Sequence, residues 1–153
     1  MAVDTSRQAR QAPPKFINSL IVLLLRSPLH GMVSKSLMLL TFTGRKSGKQ
    51  FTIPIGYTRQ RDTVNVFTDH GWWKNLLSNT AVTLTIKGKK FQGTAEVEHD
   101  NTELIAAEML AFLKLHKGAA RAYGVKIDAN GEPELATVQE ASHRFTLIRI
   151  HLK

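Results

Sequence analysis

Three cationic side chains and two glycines lie within seven consecutive residues, 43–49. Cationic side chains form charge-assisted hydrogen bonds with phosphate and carboxylate groups, and glycines let backbone N–H groups approach a ligand closely. This stretch therefore predicts a loop that holds an anion. A solvated basic turn, which most charge runs are, is the alternative that the stretch by itself leaves open.

Spacing argues against two nucleotide-binding motifs. The phosphate-binding loop of many ATPases has four residues between its glycines, then Lys and Ser or Thr at the start of a helix. Only three residues separate Gly44 from Gly48, and Gln50 follows Lys49. No G-x-G-x-x-G fingerprint of a dinucleotide-binding fold occurs in the chain. An ATPase or a dinucleotide-binding fold is therefore poorly supported.

The segments on either side of the loop must position it. Residues 37–42 form an apolar run that contains one threonine, and residues 51–58 alternate between large apolar and smaller or polar side chains. A period of two on both sides of a glycine-containing gap predicts a strand, a loop and a second strand. Because Pro54 cannot donate to a β-ladder, we expect the second strand to lie at a sheet edge or to contain a bulge.

The remaining periodicities predict further strands and several helices. A capping-box pattern with Asp100 as the N-cap predicts a helix that continues to about His116. About six strands, mostly antiparallel, with peripheral helices predict an α+β fold built on a small β-barrel. The other strands are expected at 63–68, 81–86, 91–97 and 144–152, and shorter helices at 15–26, 72–78 and 135–142.

Length and composition indicate one globular domain. The chain of 153 residues is long enough to bury a core, and its 42% hydrophobic and 22% charged residues are ordinary for such a domain. Residues 1–14 are polar and end in two prolines, which predicts a mobile arm ahead of a single domain at 15–153. The net charge of +9 favours anionic partners without selecting one.

The longest apolar run near the N-terminus, residues 20–25, is too short for a hydrocarbon core that needs about 20 helical residues. No small-residue cleavage site of a signal peptide follows it, so we expect a cytoplasmic protein. The predicted helix at 15–26 is apolar over a wide face and has basic neighbours. It is expected to plug one end of the barrel, and a peripheral contact with anionic lipid is the alternative.

The side chains offer little catalytic chemistry of their own. The chain has no cysteine, no pair of its six histidines has a metal-ligand spacing, and no G-x-S-x-G motif occurs. We therefore expect no metal site, and an enzyme built on this chain would need a cofactor to supply the reactivity. A module that binds single-stranded nucleic acid is the competing class, although two tryptophans and one basic loop are few for it.

The chain resembles the deazaflavin-dependent nitroreductase family, split β-barrel proteins related to flavin-binding pyridoxamine phosphate oxidases. The likeness rests on residues 39–49, on Thr52 and 54–57, and on the later segment 73–76 with Asn79 and Val82, and it covers roughly residues 36–97. The segment before Trp72 is shorter than the family pattern, and Thr80 replaces the usual proline. FMN is therefore kept as the alternative cofactor.

The resemblance implies that the protein binds coenzyme F420 and passes a hydride from its reduced form to a quinone, nitro compound or enone. The loop would hold the phosphate and part of the oligoglutamate tail, and two strands would line the planar ring. Because Trp72 and Trp73 are adjacent, one is expected to pack inward while the other covers a groove. Tyr123 would approach the substrate, and a homodimer is compatible with the resemblance. The implied cofactor-binding residues are Arg45, Lys46, Ser47, Gly48, Lys49, Thr52, Pro54, Ile55, Gly56, Phe67, Thr68, Asp69, His70, Trp72, Trp73, Lys74 and Asn75.

Overall fold

The structure is a computed structural model and describes residues 37–153. The expected arm at 1–14 and the expected helix at 15–26 lie outside the described residues, as does the lipid contact considered for that helix. Within residues 37–153, no helix has the length and apolar character that a membrane span requires.

The described chain contains seven strands, three α-helices and two 3₁₀ helices, numbered here from residue 37. The strands are β1 (Leu37–Thr43), β2 (Gln50–Gly56), β3 (Thr58–Gln60), β4 (Thr63–Thr68), β5 (Ala81–Ile86), β6 (Lys89–Glu98) and β7 (Thr146–Leu152). The α-helices are α1 (Asn75–Ser78), α2 (Thr102–Leu115) and α3 (Leu135–Arg144), and the 3₁₀ helices span Gly71–Lys74 and Lys117–Tyr123.

All seven strands form one antiparallel sheet in the order β2-β1-β5-β6-β7-β4-β3. The two edge strands, β2 and β3, are consecutive in the chain and only Tyr57 separates them. Neighbouring strands lie about 4.8 Å apart, so one residue cannot cross the width of an open seven-stranded sheet. The sheet therefore curls until its edges meet at Tyr57, which gives a split β-barrel.

The expected count of about six strands was wrong, because the segment expected as one strand at 51–58 is divided between β2 and β3. Gly56 is the last residue of β2 to pair with β1, whereas Thr58 already pairs with Asn65 of β4. The alternation of side chains continues through the change of partner, so the sequence pattern does not reveal it. The expected edge position of Pro54 is confirmed, since β2 pairs with β1 alone.

The expected N-cap of α2 was wrong by one residue. Asn101 caps the helix, and its Oδ1 accepts a hydrogen bond from the Leu104 N–H at 3.1 Å. The carboxylate of Asp100 instead lies 2.9 Å from Nδ1 of His99. Asp and Asn are both good capping residues, so which of the two caps α2 depends on the course of the chain after β6.

Two apolar cores lie on opposite faces of the sheet. The interior of the barrel is filled by alternate residues of its strands, among them the fully buried Leu84 and Ile150. The second core lies outside β4 and β7, where α2 and α3 cover Phe67 and Leu147. Because successive residues of a strand point to opposite faces, Val66 and Phe67 belong to different cores.

The antiparallel register divides the connections between the two ends of the barrel. Residues 44–49, 69–80 and 99–101 lie at one end, which we call the loop end. The β3–β4 turn at 61–62 and the β5–β6 turn at 87–88 lie at the opposite end. The cationic loop, both tryptophans and His99 are therefore neighbours in space although they are far apart in sequence.

Gly93 lies where the barrel interior has no room for a side chain. A Cβ at this position would lie 2.7 Å from Cγ2 of Ile150 and 3.2 Å from the carbonyl oxygen of His151. We expect Gly93→Ala to lower the free energy of unfolding by about 1–3 kcal/mol through overpacking. Gly118→Ala is the control in urea denaturation, because nothing lies within 4 Å of its Cβ. Equal stabilities for the two variants would contradict the close packing described for β6.

Candidate active site

The glycines of the loop close it through their own backbone groups. The Gly44 N–H donates to the carbonyl oxygen of Lys49 at 2.7 Å, and the Gly48 N–H donates to that of Gly44 at 2.9 Å. Gly48 has a φ of +70°, which favours glycine. These two N–H groups are therefore used within the loop. The N–H groups of Lys46 and Ser47 have no hydrogen-bond partner among residues 37–153 and lie at the exposed tip.

Aromatic rings support the base of the loop. Gly44 is buried, and a Cβ on it would lie 2.5 Å from Cε2 of Phe51. The Phe51 ring stacks on Phe42 with 5.7 Å between centroids, and Phe42 stacks on Trp72 at 5.2 Å. This row of three rings fills the loop end of the barrel and packs beneath both the loop and the 3₁₀ helix.

Asn75 joins the loop to the tryptophan segment through its side-chain amide. Its Oδ1 accepts from the backbone N–H of Arg45 at 2.9 Å and from Nη1 of the same residue at 3.3 Å. Its Nδ2 donates to the carbonyl oxygen of Trp72 at 2.8 Å. Both polar atoms of the Asn75 amide are therefore hydrogen bonded within the protein. The bonds to Arg45 position its backbone and its guanidinium.

Four cations, Arg45, Lys46, Lys49 and Lys74, are exposed at the loop end. Arg45, Lys46 and Lys74 form no ion pair with a carboxylate within the described part of the chain. Ser47 adds a hydroxyl whose oxygen accepts from the Lys49 N–H at 3.2 Å. A guanidinium, ammonium groups and unpartnered N–H donors suit a phosphate or carboxylate ligand, so the donor set fits an anionic cofactor.

The two tryptophans have different surroundings, as their adjacency predicts. Trp72 packs inward on Phe42, whereas Trp73 stacks on the imidazole of His99 with 4.9 Å between ring centroids and 23° between planes. Nζ of Lys74 lies 5.9 Å from the centroid of the Trp73 ring. Both indoles are partly buried, so this segment forms a wall beside the loop.

The predicted ring-lining residues of β2 do not share one face. Thr52 and Pro54 point away from the barrel interior, and Oγ1 of Thr52 lies 2.9 Å from Oγ1 of Thr41. Ile55 packs against the interior core, and Gly56 lies at the end of β2 that is remote from the loop. A ligand on one face of β2 would therefore contact only some of these residues.

The four predicted site residues at and after the end of β4, residues 67–70, do not share one face either. Thr68 is buried at the loop end, and its Oγ1 accepts from the His70 N–H at 3.2 Å. Asp69 and His70 are exposed beside it, with 3.4 Å between Oδ1 and Nε2. Phe67 points to the opposite face and packs on Phe112 and Tyr123 in the helical core. The structure thus brings three of these four predicted residues to the loop end and separates Phe67 from them.

Tyr123, the predicted substrate-facing residue, lies in the helical core rather than beside the loop. Its ring makes edge contacts with Phe67, Phe112 and Phe145 at 5.1–5.8 Å between centroids. Burial raises the pKa of its hydroxyl above the ordinary value of 10.0. The phenol therefore remains protonated well above neutral pH.

His99 was missed among the predicted site residues. It follows β6 as a single histidine with no motif around it, and only the fold places it on Trp73 at the loop end. Within residues 37–153, no group of three or more histidine or acidic side chains is close enough to hold a metal ion.

Comparison with known proteins identifies one matching family. The model of the family described as F420H(2)-dependent quinone reductase matches residues 27–127. No curated protein sequence matches the chain significantly.

Solved structures share the fold at low sequence identity. An F420 reductase is 16% identical with a TM-score of 0.51, covering 85% of this chain and 90% of its own. An F420-H2-dependent reductase is 20% identical with a TM-score of 0.51, covering 76% of this chain and 95% of its own. A protein described as a domain-swapped dimer is 17% identical with a TM-score of 0.53, covering 99% of this chain and all of its own. At these identities the likeness shows the split-barrel fold and no more.

The hydrogen bonds of Asn75 predict how the loop responds to its loss. We expect Asn75→Ala to free the loop and to increase the rate of tryptic cleavage after Arg45, Lys46 and Lys49 at least severalfold, because proteolysis follows local opening. Asn75→Asp keeps an acceptor for Arg45, and trypsin should cleave it more slowly than the Ala variant. Mass spectrometry of timed digests locates the cuts.

Asn130→Ala is the matched control and should be cleaved like the wild type, because within residues 37–153 the backbone N–H of Asn130 is hydrogen bonded, to Asp128, and its side chain is not. Unchanged cleavage in Asn75→Ala would show that the three hydrogen bonds do not hold the loop.

The raised pKa of Tyr123 predicts a loss of stability in alkali. The folded pKa is above the unfolded value, so this stabilisation is complete below pH 10 and is lost as pH rises through the folded pKa. We therefore expect the melting temperature of the wild type to fall more steeply above about pH 10 than that of Tyr123→Phe. Burial also raises the pKa of Tyr57, although the nearby Arg59 acts to lower it. Tyr57 is present in both proteins. Identical slopes would contradict the burial of this hydroxyl.

Proposed function

This chain belongs to the F420H2-dependent quinone reductase family, and we propose that its cationic loop holds the anionic end of coenzyme F420. Membership makes the protein an F420-dependent oxidoreductase and favours F420 over FMN. The assignment of individual residues to the cofactor is the proposal.

The observation that carries the proposal is the pair of cations at Arg45 and Lys46, which no carboxylate among the described residues neutralises. Asn75 holds the backbone and guanidinium of Arg45, so less conformational freedom is lost when a ligand binds. The backbone N–H groups of Lys46 and Ser47, which have no partner among residues 37–153, add neutral donors at the same tip. An exposed tip of this kind suits the phosphate and part of a flexible polyanionic tail.

When bound, reduced F420 supplies the hydride. The protein's own residues bind and orient it: the loop holds the anionic end, and the wall of Trp72 and Trp73 offers apolar surface next to the loop. Thr68, Asp69 and His70 complete the polar part of this end. The acceptor is a small molecule, and the family's name supports a quinone over a nitro compound or an enone.

Tyr123 packs against three phenylalanines in the helical core, and its approach to the acceptor is proposed from the family resemblance. Since burial raises its pKa, we assign it to orienting the acceptor by hydrogen bonding. A homodimer is supported by the domain-swapped dimer among the structural neighbours. A cytoplasmic location and the absence of nucleic acid as a partner stay predictions.

Charge reversal at the loop tests the proposal. We expect Arg45→Glu with Lys46→Glu to weaken F420 binding by about 3 kcal/mol, on the order of 100-fold, through loss of charge-assisted hydrogen bonds and new repulsion. The measurement is a fluorescence titration of F420 with protein. Lys87→Glu with Lys89→Glu makes the same change of net charge at the opposite end of the barrel and should alter affinity by less than about fivefold.

Equal losses in the two double variants would indicate a general effect of net charge, and unchanged affinity in the loop variant would remove the loop from the cofactor site. FMN is titrated in parallel. Tighter binding of FMN than of F420 would contradict the cofactor assignment.

A further inference from the structure

The end of the barrel opposite the cationic loop carries a concentration of positive charge. Five exposed cations lie on or beside the β3–β4 and β5–β6 turns, and we call this surface the turn end: Arg59, Arg61, Lys87, Lys89 and Lys90. Asp62 is the one acidic residue within the segments 59–62 and 87–90. The other described residues carry eleven basic and ten acidic side chains. Most of the net charge of residues 37–153 therefore lies at the turn end.

Contacts across the mouth of the barrel make the two turns one surface. The guanidinium carbon of Arg59 lies 4.7 Å from the centroid of the Phe91 ring. Arg59 belongs to β3 and Phe91 to β6, so this contact joins the two hairpins. Nε of Arg59 also donates to the carbonyl oxygen of Arg61 at 2.9 Å. The last strand reaches the same end, where the Leu152 N–H donates to the carbonyl oxygen of Asp62 at 2.7 Å.

The charges of the turn end are not neutralised by the protein itself. None of the five cations forms an ion pair with a carboxylate within residues 37–153. The side chains of Lys87, Lys89 and Lys90 also make no hydrogen bond within the same residues. Ammonium groups without a fixed position do not suit a small ligand that needs a defined contact geometry. They suit an extended anionic surface, which attracts charge wherever the side chain lies.

The turn end lacks the features that other extended partners need. Single-stranded nucleic acid binds through exposed aromatic rings on which bases stack. Here Phe91 lies beneath Arg59, and both Phe91 and Tyr57 pack against the interior core. Protein interfaces depend on apolar or aromatic anchors, and no large apolar side chain is exposed among residues 57–63 and 86–92. A surface of anionic lipid headgroups requires charge alone.

We propose that the turn end docks the protein on a membrane surface rich in anionic lipid. The cationic loop lies at the other end of the barrel, so it stays in water while the turn end is bound. Each Lys or Arg near such a surface strengthens binding by roughly fivefold. The attraction falls off within a Debye length of about 10 Å at 0.1 M salt, so the docking is reversible and sensitive to salt.

Co-sedimentation of the full chain with lipid vesicles tests the docking. We expect binding to phosphatidylcholine vesicles that contain about a third phosphatidylglycerol to be at least about tenfold tighter than binding to phosphatidylcholine alone. Salt at about 0.5 M should abolish the difference. Lys87→Glu with Lys89→Glu should weaken binding to the anionic vesicles at least about 25-fold. Arg45→Glu with Lys46→Glu makes the same change of net charge at the loop end and should stay within about threefold of the wild type.

The same two double variants separate this surface from the cofactor site. The turn variant should lose vesicle binding and keep F420 binding, and the loop variant should lose F420 binding and keep vesicle binding. Failure of the proposed function would therefore appear in the F420 titration, and failure of the membrane proposal in the sedimentation.

The positions of the tryptophans give a second readout. Trp72 and Trp73 are the only tryptophans of the chain, and both lie at the loop end. Lipids with brominated tails quench indoles that reach the bilayer. We expect them to leave the fluorescence of the vesicle-bound protein unchanged. Quenching would place the loop end against the membrane and would overturn the proposal.

Three further outcomes would contradict the docking surface. Equal losses of vesicle binding in the two double variants would reduce the effect to net charge. Vesicle binding that survives in the turn variant would assign the lipid contact to other residues, the segment at 15–26 included. A labelled single-stranded RNA that binds the wild type more tightly than the anionic vesicles, and loses affinity in the turn variant, would make nucleic acid the partner of this end.

Discussion

Closure of the sheet at Tyr57 is the constraint on which the rest of the structure depends. A single residue joins the two edge strands, so the seven strands must curl into a barrel. In an antiparallel barrel alternate connections lie at the same end, and closure therefore gathers the β1–β2 loop, the segment after β4 and the connection after β6. Without it these segments would lie along the rim of an open sheet, too far apart to form one site.

Cations occur at both ends of the barrel, but only the loop end organises them. Lys87 in the β5–β6 turn and Lys89 and Lys90 at the start of β6 are exposed, where charges are solvated and screened. At the loop end, Arg45 is fixed by two hydrogen bonds to Asn75, and the loop rests on the Phe51–Phe42–Trp72 stack. A charge-assisted hydrogen bond contributes roughly 1.5–3 kcal/mol, against about 0–1 for a mobile surface pair. Preorganisation rather than the number of charges distinguishes the two ends.

The division of work between protein and cofactor follows from the composition. The chain has no cysteine, and no metal cluster occurs in residues 37–153. The redox step is the cofactor's, and the protein's part is to hold an anion and to present apolar walls.

Local patterns were sufficient for much of the fold. The loop between two strands, the edge position of Pro54 and the β5–β6 hairpin follow from alternation, glycine and proline chemistry, which act over a few residues. The family likeness also came from contiguous motifs. The division of β2 from β3 and the stacking of His99 on Trp73 were decided only in three dimensions. Each depends on which distant segment becomes a neighbour, and that is determined by barrel closure and the burial of two cores, which no local period encodes.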